Sequence, residues 1–443
     1  MKHILLISGI WCMVLQAQAI TQAEFVQSLK NNHPFFSQQA LSAQIKQVEM
    51  QATRANEDWL MSVSTAYNKD QKDSVIFSAN KAFTDNGSRA TLSHTWIDTD
   101  IADGKSKFSL DYVYPLLRNN GGINDRLELD VSQVLVVQHN LSRSEQEENF
   151  ILKKLKRFVD LNYAQEQQLI HEHRLSFAKQ ELVLVQKKFT ASVVDKVDVL
   201  LQEDAYQKAK QQLLQAQQDL VVLRHEIAIT LGIDFDQITN TKNLYRPYKL
   251  NDQYNKKQLL GKARVLKITD LDLKILKRQL ASFKNESQAQ LDLNLGLVSE
   301  GENTNYSNAL SNQSASWNIG LGLSYPLGGI KSSSNITKAQ IKIKRLIQYK
   351  REQNLDLSIA ITTLREKIIL LSELLKSNQK QIMIAKDRTT EEKSQYANGT
   401  GKASFVISAQ NNEQNAQLGY AQVATNYQKA VLEYKATLDI LAP

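Results

Sequence analysis

The chain has 443 residues, 42% of them hydrophobic and 23% charged, with a formal net charge of +8. That length suits a large core or two repeats of about 200 residues, and the scarcity of breakers, 16 Gly and 5 Pro, predicts long helices rather than a loop-rich fold. The single cysteine, Cys12, falls in the first 19 residues, so beyond them disulfides, thiol catalysis and cysteine metal sites are excluded.

At the start, Lys2 and His3 lead an apolar run from Ile4 to Leu15, and Ala17-Gln18-Ala19 supplies a small-residue cleavage pattern. Residues 1–19 read as a secretory signal, since the run is too short to cross about 30 Å of hydrocarbon. Gly9-Ile10-Trp11 before Cys12 is unlike the run that precedes a lipid-modified cysteine. Loss of Lys2 takes +8 to +7. No later stretch of about 18 apolar residues occurs, so an exported chain of this kind is soluble or embedded through strands.

A helical stretch is predicted over about 22–56, broken or started at Pro34. Ser62–Tyr67, Val75–Phe83, Ala90–Ile97 and Lys107–Tyr114 alternate as strands, with Asp85-Asn86-Gly87 as a turn. A long helix follows over about 123–188, then a return helix whose seam is Ala209, Leu213, Ala216, Leu220, Leu223 and Ile227. A polar linker, 236–255, leads to a helix over about 256–286. Leu291–Leu297 and Trp317–Leu323 then alternate as strands around a polar loop at 299–316. The second long helix, about 331–395, carries the seam Leu357, Ile361, Leu364, Ile368, Leu371 and Leu375. Each long helix would measure on the order of 100 Å.

These elements form two repeats, 20–235 and 256–443. Adding 207 to the first return seam gives Ala416, Tyr420, Val423, Tyr427, Ala430 and Tyr434. Val113-Tyr114-Pro115-Leu116 corresponds to Ser324-Tyr325-Pro326-Leu327, and each is followed by a glycine pair, Gly121-Gly122 and Gly328-Gly329. Two membrane strands per repeat give four per chain, too few to close a barrel. An open sheet edge cannot face lipid, so several copies must contribute. Three copies would supply twelve strands. The longer first strand region also accommodates an additional hairpin outside the membrane.

The pattern resembles the TolC family of outer-membrane factors. The features that carry the resemblance are Asn32-His33-Pro34, the joints Tyr114-Pro115-Leu116-Leu117-Arg118 and Tyr325-Pro326-Leu327-Gly328-Gly329, and the two hairpin tips. The first tip is Phe189-Thr190-Ala191-Ser192 followed by Asp198-Val199-Leu200. The second is Tyr396-Ala397-Asn398-Gly399 followed by Phe405-Val406-Ile407. The resemblance implies a mixed α+β membrane protein: a homotrimer whose strands form one 12-stranded β-barrel in outer-membrane lipid, continued by a long periplasmic α-helical, coiled-coil tunnel. It also implies a periplasmic adaptor and an inner-membrane transporter as partners, in an efflux pump or a type I secretion system. Phe189, Ser192, Asp198, Tyr396, Gly399 and Lys402 become candidates for adaptor contact and gating, and Pro115, Pro326, Gly328 and Gly329 for the strand–helix joints. Similar proteins usually have Gly where Ser192 stands, and many carry an Asp-Val-Leu-Asp run where Phe405 and Ser408 stand here. Asp198 is the matching aspartate that remains, so an acidic, cation-attracting gate is not expected.

Other signals point to ordinary surfaces. His171 and His173, two apart on a helix, point in different directions and are expected as polar surface positions rather than metal ligands. Glu147-Glu148 and Glu391-Glu392 do not converge on a substrate, and Gly320-Leu321-Gly322 lies within a strand, so neither catalysis nor a cofactor is expected. Lys342-Ile343-Lys344-Arg345 reads as a solvated helix face rather than a nucleic-acid site. The tyrosines at 420, 427 and 434, seven apart, read as packing knobs. Asp198 with Tyr396 or Lys402 is a candidate polar latch between tips. The expected function is a passive trans-periplasmic exit duct; the alternative is a periplasmic coiled-coil adaptor or structural protein.

Overall fold

Pro34 divides the opening helical stretch in two. In the computed structural model, α1 (Gln22–Asn32) begins with a capping box, the Glu24 N–H donating to the Thr21 hydroxyl and the Thr21 N–H to the Glu24 carboxylate. His33 is extended, as the residue before proline must be, and α2 (Pro34–Ala52) starts on the proline. A 3₁₀ turn, Thr53–Glu57, completes the stretch. The Asn32-His33-Pro34 motif thereby gains a packing role. Asn32 Nδ2 donates to the Leu231 carbonyl at 2.9 Å, and the His33 and Phe35 rings both lie against Phe150. The structure describes residues 20–67, 72–99, 104–235, 238, 244–250, 256–303, 305–325 and 327–441. The signal at 1–19, Pro326, and the linker 236–255 apart from 238 and 244–250 lie outside them.

Six strands follow the order of the chain. They are β1 (Leu60–Ala66), β2 (Lys72–Phe83), β3 (Ser88–Thr99), β4 (Gly104–Pro115), β5 (Gln290–Asn303) and β6 (Ser314–Ser324). Each pairs antiparallel with the next in a single meander, β1-β2-β3-β4-β5-β6. All four strands expected in the first repeat and both expected in the second are present, and the extra first-repeat hairpin, β1–β2, continues the same sheet. The polar loop expected at 299–316 is also shorter than the sequence suggests. β5 runs on to Asn303, a short helix α7 (Tyr306–Ser311) follows, and β6 opens at Ser314.

The remaining helices are α3 (Leu127–Thr190), α4 (Lys196–Leu231), α5 (Lys256–Lys262), α6 (Arg264–Glu286), α8 (Ile330–Ala397) and α9 (Ala403–Thr437). The stretch expected over 256–286 is split, because Ala263 is non-helical. The chain resolves into two compact units, and each draws on both repeats. One comprises Gln39–Ser144 and Gly261–Leu355 and holds the whole sheet; the other comprises Met1–Gln38, Glu145–Leu260 and Asp356–Pro443.

The helical unit is built on the predicted seams. Leu220 and Ile227 of α4 join Ile151, Leu155 and Phe158 of α3, Phe25 and Leu29 of α1, and Ala421 and Ala424 of α9. Ile361 and Ile368 of α8 pack on Tyr427, Ala430 and Tyr434 of α9. Tyr427 and Tyr434 are thus packing residues, while Tyr420 stacks on Tyr245 at 4.6 Å. His171 departs from the surface position expected of it. It is buried, and its Nδ1 accepts from Gln414 Nε2 at 2.8 Å. Burial lowers its pKa. His173 is exposed.

Candidate membrane face and hairpin tips

Residues paired across a ladder share a face, so the register sorts the sheet into two sides. One side carries Met61 and Val63 of β1, Val75 and Phe77 of β2, and Leu92 and Trp96 of β3. It continues through Phe108, Leu110 and Tyr112 of β4, Leu293, Leu295 and Leu297 of β5, and Trp317, Ile319 and Leu321 of β6. The other side carries Ser62, Ser64, Ser78, Ser93, Thr95, Ser109, Asp111, Asn294, Gly296 and Asn318. An apolar face therefore runs unbroken across all six strands, opposite a polar one. It is bare to solvent in a single chain: Trp317 is 73% exposed, Leu321 69% and Met61 78%. Exposed apolar area of this extent marks an interaction surface. Aromatic rings stand at both ends, with Trp96 against Tyr306 at 4.6 Å at one and Phe83 and Tyr112 at the other.

No helix among the described residues is long and apolar enough to cross a membrane. The sheet has the alternation that a membrane barrel wall requires.

Where β4 passes into α3, Asn119 adopts a left-handed conformation, φ 66°, and a 3₁₀ turn (Asn120–Gly122) follows. Pro115 closes β4 opposite Asp292, and the Leu116 N–H donates to the Leu291 carbonyl at 2.7 Å. Five polar side chains then lock the joint. Asn285 Oδ1 accepts from the Asn119 N–H at 2.7 Å and from Asn124 Nδ2 at 2.9 Å, Ser282 donates to Asn124, and Asn119 Nδ2 donates to Asp125. Arg278 bridges Asp130 at 2.7 Å and reaches the Ile123 carbonyl. The β2–β3 turn is seated in the same joint. A Cβ on Gly122 would overlap the Thr84 carbonyl, and one on Gly87 would overlap that of Asn119. At the second joint Gly328 and Gly329 have φ of 100° and 44°, outside what side-chain-bearing residues ordinarily adopt.

The two tips close identically. Val193 N–H donates to the Lys188 carbonyl around Ser192 at φ 57°, and Thr400 N–H to the Gln395 carbonyl around Gly399 at φ 83°. All three pairs of positions differ by 207, the offset of the return helices. This is the helix C-terminal closure that calls for a left-handed residue, usually glycine. Gly399 meets it freely, and Ser192 is strained by about 1 kcal/mol. Ser192→Gly should therefore slow amide exchange at Ala191–Val193 about fivefold with no change at the second tip; unchanged exchange would show the serine to be unstrained.

Phe189 is exposed at the end of α3 and Lys402 is exposed as the N-cap of α9. Tyr396 is buried with Ala403 and Val406, beside Leu184. Lys188 Nζ donates to its carbonyl at 2.7 Å and sits 4.0 Å over its ring. The Tyr396 hydroxyl finds no hydrogen-bond partner among the described residues. Burial raises its pKa, with the Asp198 carboxylate adding to the effect. Within one chain, then, Asp198 lies near Tyr396 without bonding to it, and it makes no bond to Lys402 among the described residues. Lys188 and Leu184 of α3 both meet Tyr396 or its cluster and so join the tips, contacts that no sequence pattern signals.

One trio of carboxylates among the described residues, Glu145, Glu148 and Asp439, comes within 4.8 Å of one another. Glu148 Oε1 already accepts from the Leu441 N–H at 2.8 Å and so ties down the end of the chain.

Solved structures share this architecture over nearly the whole chain. The outer-membrane protein VceC of Vibrio cholerae is 11% identical, with a TM-score of 0.70 over 94% of this chain and 96% of that one. The CmeC outer-membrane channel of Campylobacter jejuni is 12% identical, with a TM-score of 0.67 over 96% and 89%. The open state of the MtrE outer-membrane channel of Neisseria gonorrhoeae is 11% identical, with a TM-score of 0.68 over 95% and 89%. The fold is that of the TolC-like outer-membrane channels. No family model and no curated protein matches the sequence.

In this TolC-like fold, the residues that hold the first joint carry no sequence signal. Asn124, Ser282, Asn285 and Arg278 lie 148 to 166 positions from the partners they hold across the joint, and no local spacing connects them. Buried Arg174, donating to Asn411 at 3.0 Å, and Glu181, 3.8 Å from Lys393, were hidden in charged helical sequence for the same reason. Burial raises the pKa of Glu181 and lowers that of Arg174.

Proposed function

We propose that this chain is an outer-membrane channel subunit of a tripartite efflux pump or type I secretion system, a passive exit duct across the periplasm. The observation that carries the reading is the sheet: a continuous apolar face, a continuous polar face and two unpaired edges. Backbone groups at those edges cannot be left bare in hydrocarbon, so further copies must pair with them. The protein is a homotrimer whose sheets close one barrel, the apolar face toward lipid and the polar face lining water. A twelve-stranded wall would draw four strands from each copy; this sheet offers six. The helices continue the duct as a coiled-coil tunnel, and the exposed Leu355, Ile359, Leu370 and Ile384 of α8 suit packing against a neighbouring copy.

Residues 1–19 direct export, and the repeats 20–235 and 256–443 with their linker 236–255 form the mature chain. The tips carrying Phe189, Ser192, Asp198, Tyr396, Gly399 and Lys402 meet a periplasmic adaptor and an inner-membrane transporter, whose contact shifts the closed–open balance. The transporter supplies the energy. Pro115, Pro326, Gly328 and Gly329 turn the strands into the helices.

Expressed with residues 1–19, the protein should sediment with outer membranes, require detergent for extraction, and migrate as an oligomer that dissociates on heating. Recovery as a soluble monomer without detergent would overturn the reading.

A further inference from the structure

We propose that the β1–β2 hairpin is part of the barrel wall and that the seam between copies is formed by β1 of one chain and β6 of the next, so that three copies close eighteen strands rather than twelve. The inference rests on the channel reading above and adds to it which strands meet.

Three observations carry it. The edge of β3 is already occupied, since β2 pairs with it without a gap from Lys72↔Thr99 to Phe83↔Ser88. A wall that began at β3 would have to strip that ladder and leave β2 to satisfy its backbone elsewhere, which hydrocarbon does not allow. The faces also continue through the hairpin. Phe77 and Val63 stand in the row of His94 and Phe108, and Ala79 and Met61 in the row of Leu92 and Leu110. A hairpin held outside the membrane would have no reason to keep its apolar residues in register with those of β4–β6. Finally, the β2–β3 turn is built into the strand–helix joint. Gly87 packs on Asn119, Thr84 on Gly122, and Thr84 donates to Glu57. Arg126 reaches Asp85 at 3.9 Å, and Arg89 reaches Asp125 at 3.8 Å. The inner end of the hairpin therefore lies level with the inner end of β4.

The apolar side of β2 carries a charge near each end, Asp73 and Lys81, and Lys81 fits this placement. It stands at that inner end with its ammonium 5.5 Å from the Trp59 ring and 5.8 Å from that of Phe83. A lysine over aromatic rings at a membrane rim can extend its charge to the interface while its stem stays among apolar groups.

The geometry of closure follows from the count. Six alternating strands leave β1 and β6 running in opposite directions, so copies related by rotation about the barrel axis bring β1 against the neighbour's β6 antiparallel. Both edge strands are exposed along their whole lengths. Because barrel diameter grows roughly linearly with strand number, the lumen at the level of the sheet would be about 1.5 times as wide as a twelve-stranded one.

The test is disulfide cross-linking of the full-length protein in outer membranes, where no native cysteine follows residue 19. Ser64→Cys on the polar face of β1 is combined in turn with Ser316→Cys, Asn318→Cys, Gly320→Cys and Gly322→Cys on the polar face of β6. Thr95→Cys on β3 is paired with the same four. The expected result is a covalent trimer as the main species for at least one β1–β6 pair, and none for the β3 pairs. Covalent trimers from β3–β6 pairs, or an intact oligomer that cross-links through neither set, would overturn the eighteen-stranded seam while leaving the channel reading in place. A protein recovered outside the membrane would overturn both.

Discussion

Gly122→Ala should abolish the heat-dissociable oligomer, whereas Gly121→Ala should leave most of it intact. Both glycines have left-handed backbones, with φ of 64° and 69°. Forcing a side chain into that conformation costs about 1–2 kcal/mol at either position. The difference lies in what the new methyl group meets. Around Gly121 there is nothing within 4 Å, but at Gly122 it would overlap the Thr84 carbonyl and crowd the Gly87 N–H. That overlap involves backbone on both sides, so no side-chain rotation relieves it. The β2–β3 turn must move off the joint, and Thr84 loses its place beside Glu57. A total of about 3–4 kcal/mol is expected, the range of mutations that break a named packing feature. Oligomer yield after graded heating of the two variants measures the difference. Equal losses would mean that the turn is not seated on the joint as described.

This joint shows how far the sequence could be read and where it stopped. The Tyr114-Pro115 step and the glycine pairs mark the strand–helix transitions because proline and glycine constrain the backbone locally, and local constraint is legible in one stretch of chain. What grips the joint is not local. Asn285 meets Asn119 across 166 positions, and an asparagine in a polar segment looks the same whether it faces water or a partner. All six strands were legible as alternation, but how the first hairpin's faces align with the rest was not, for a related reason. Leu291 to Leu297 alternates cleanly, but β1 reads Leu-Met-Ser-Val-Ser-Thr-Ala and β2 begins with Lys72 and Asp73, so their apolar face emerges only when the register sets Val63 beside Phe77. His171 looked like a surface residue because its helix is polar on most sides; its burial depends on Gln414, 243 positions away. Ser192 is the opposite case. Its departure from glycine was visible at once, and the left-handed φ supplies the reason glycine suits the position.

The orientation of the sheet can be tested with a single charge placed on either face. Leu297→Arg puts a guanidinium in the middle of the apolar band, opposite Leu110 on β4 and Trp317 on β6. If that band faces lipid, the cost is about 2–4 kcal/mol near the bilayer midplane, enough to deplete the assembled protein from outer membranes. Asn294→Arg makes the same change of charge on the polar face, opposite Gly320 on β6. There the side chain enters water, and assembly should be close to that of the unaltered protein. The charge it adds to the lumen should instead shift ion preference toward anions in planar bilayers. A protein that tolerates Leu297→Arg but not Asn294→Arg would have its faces reversed. One that tolerates both would not be embedded through this sheet at all, since no water-filled lumen and no hydrocarbon would then distinguish the two sides.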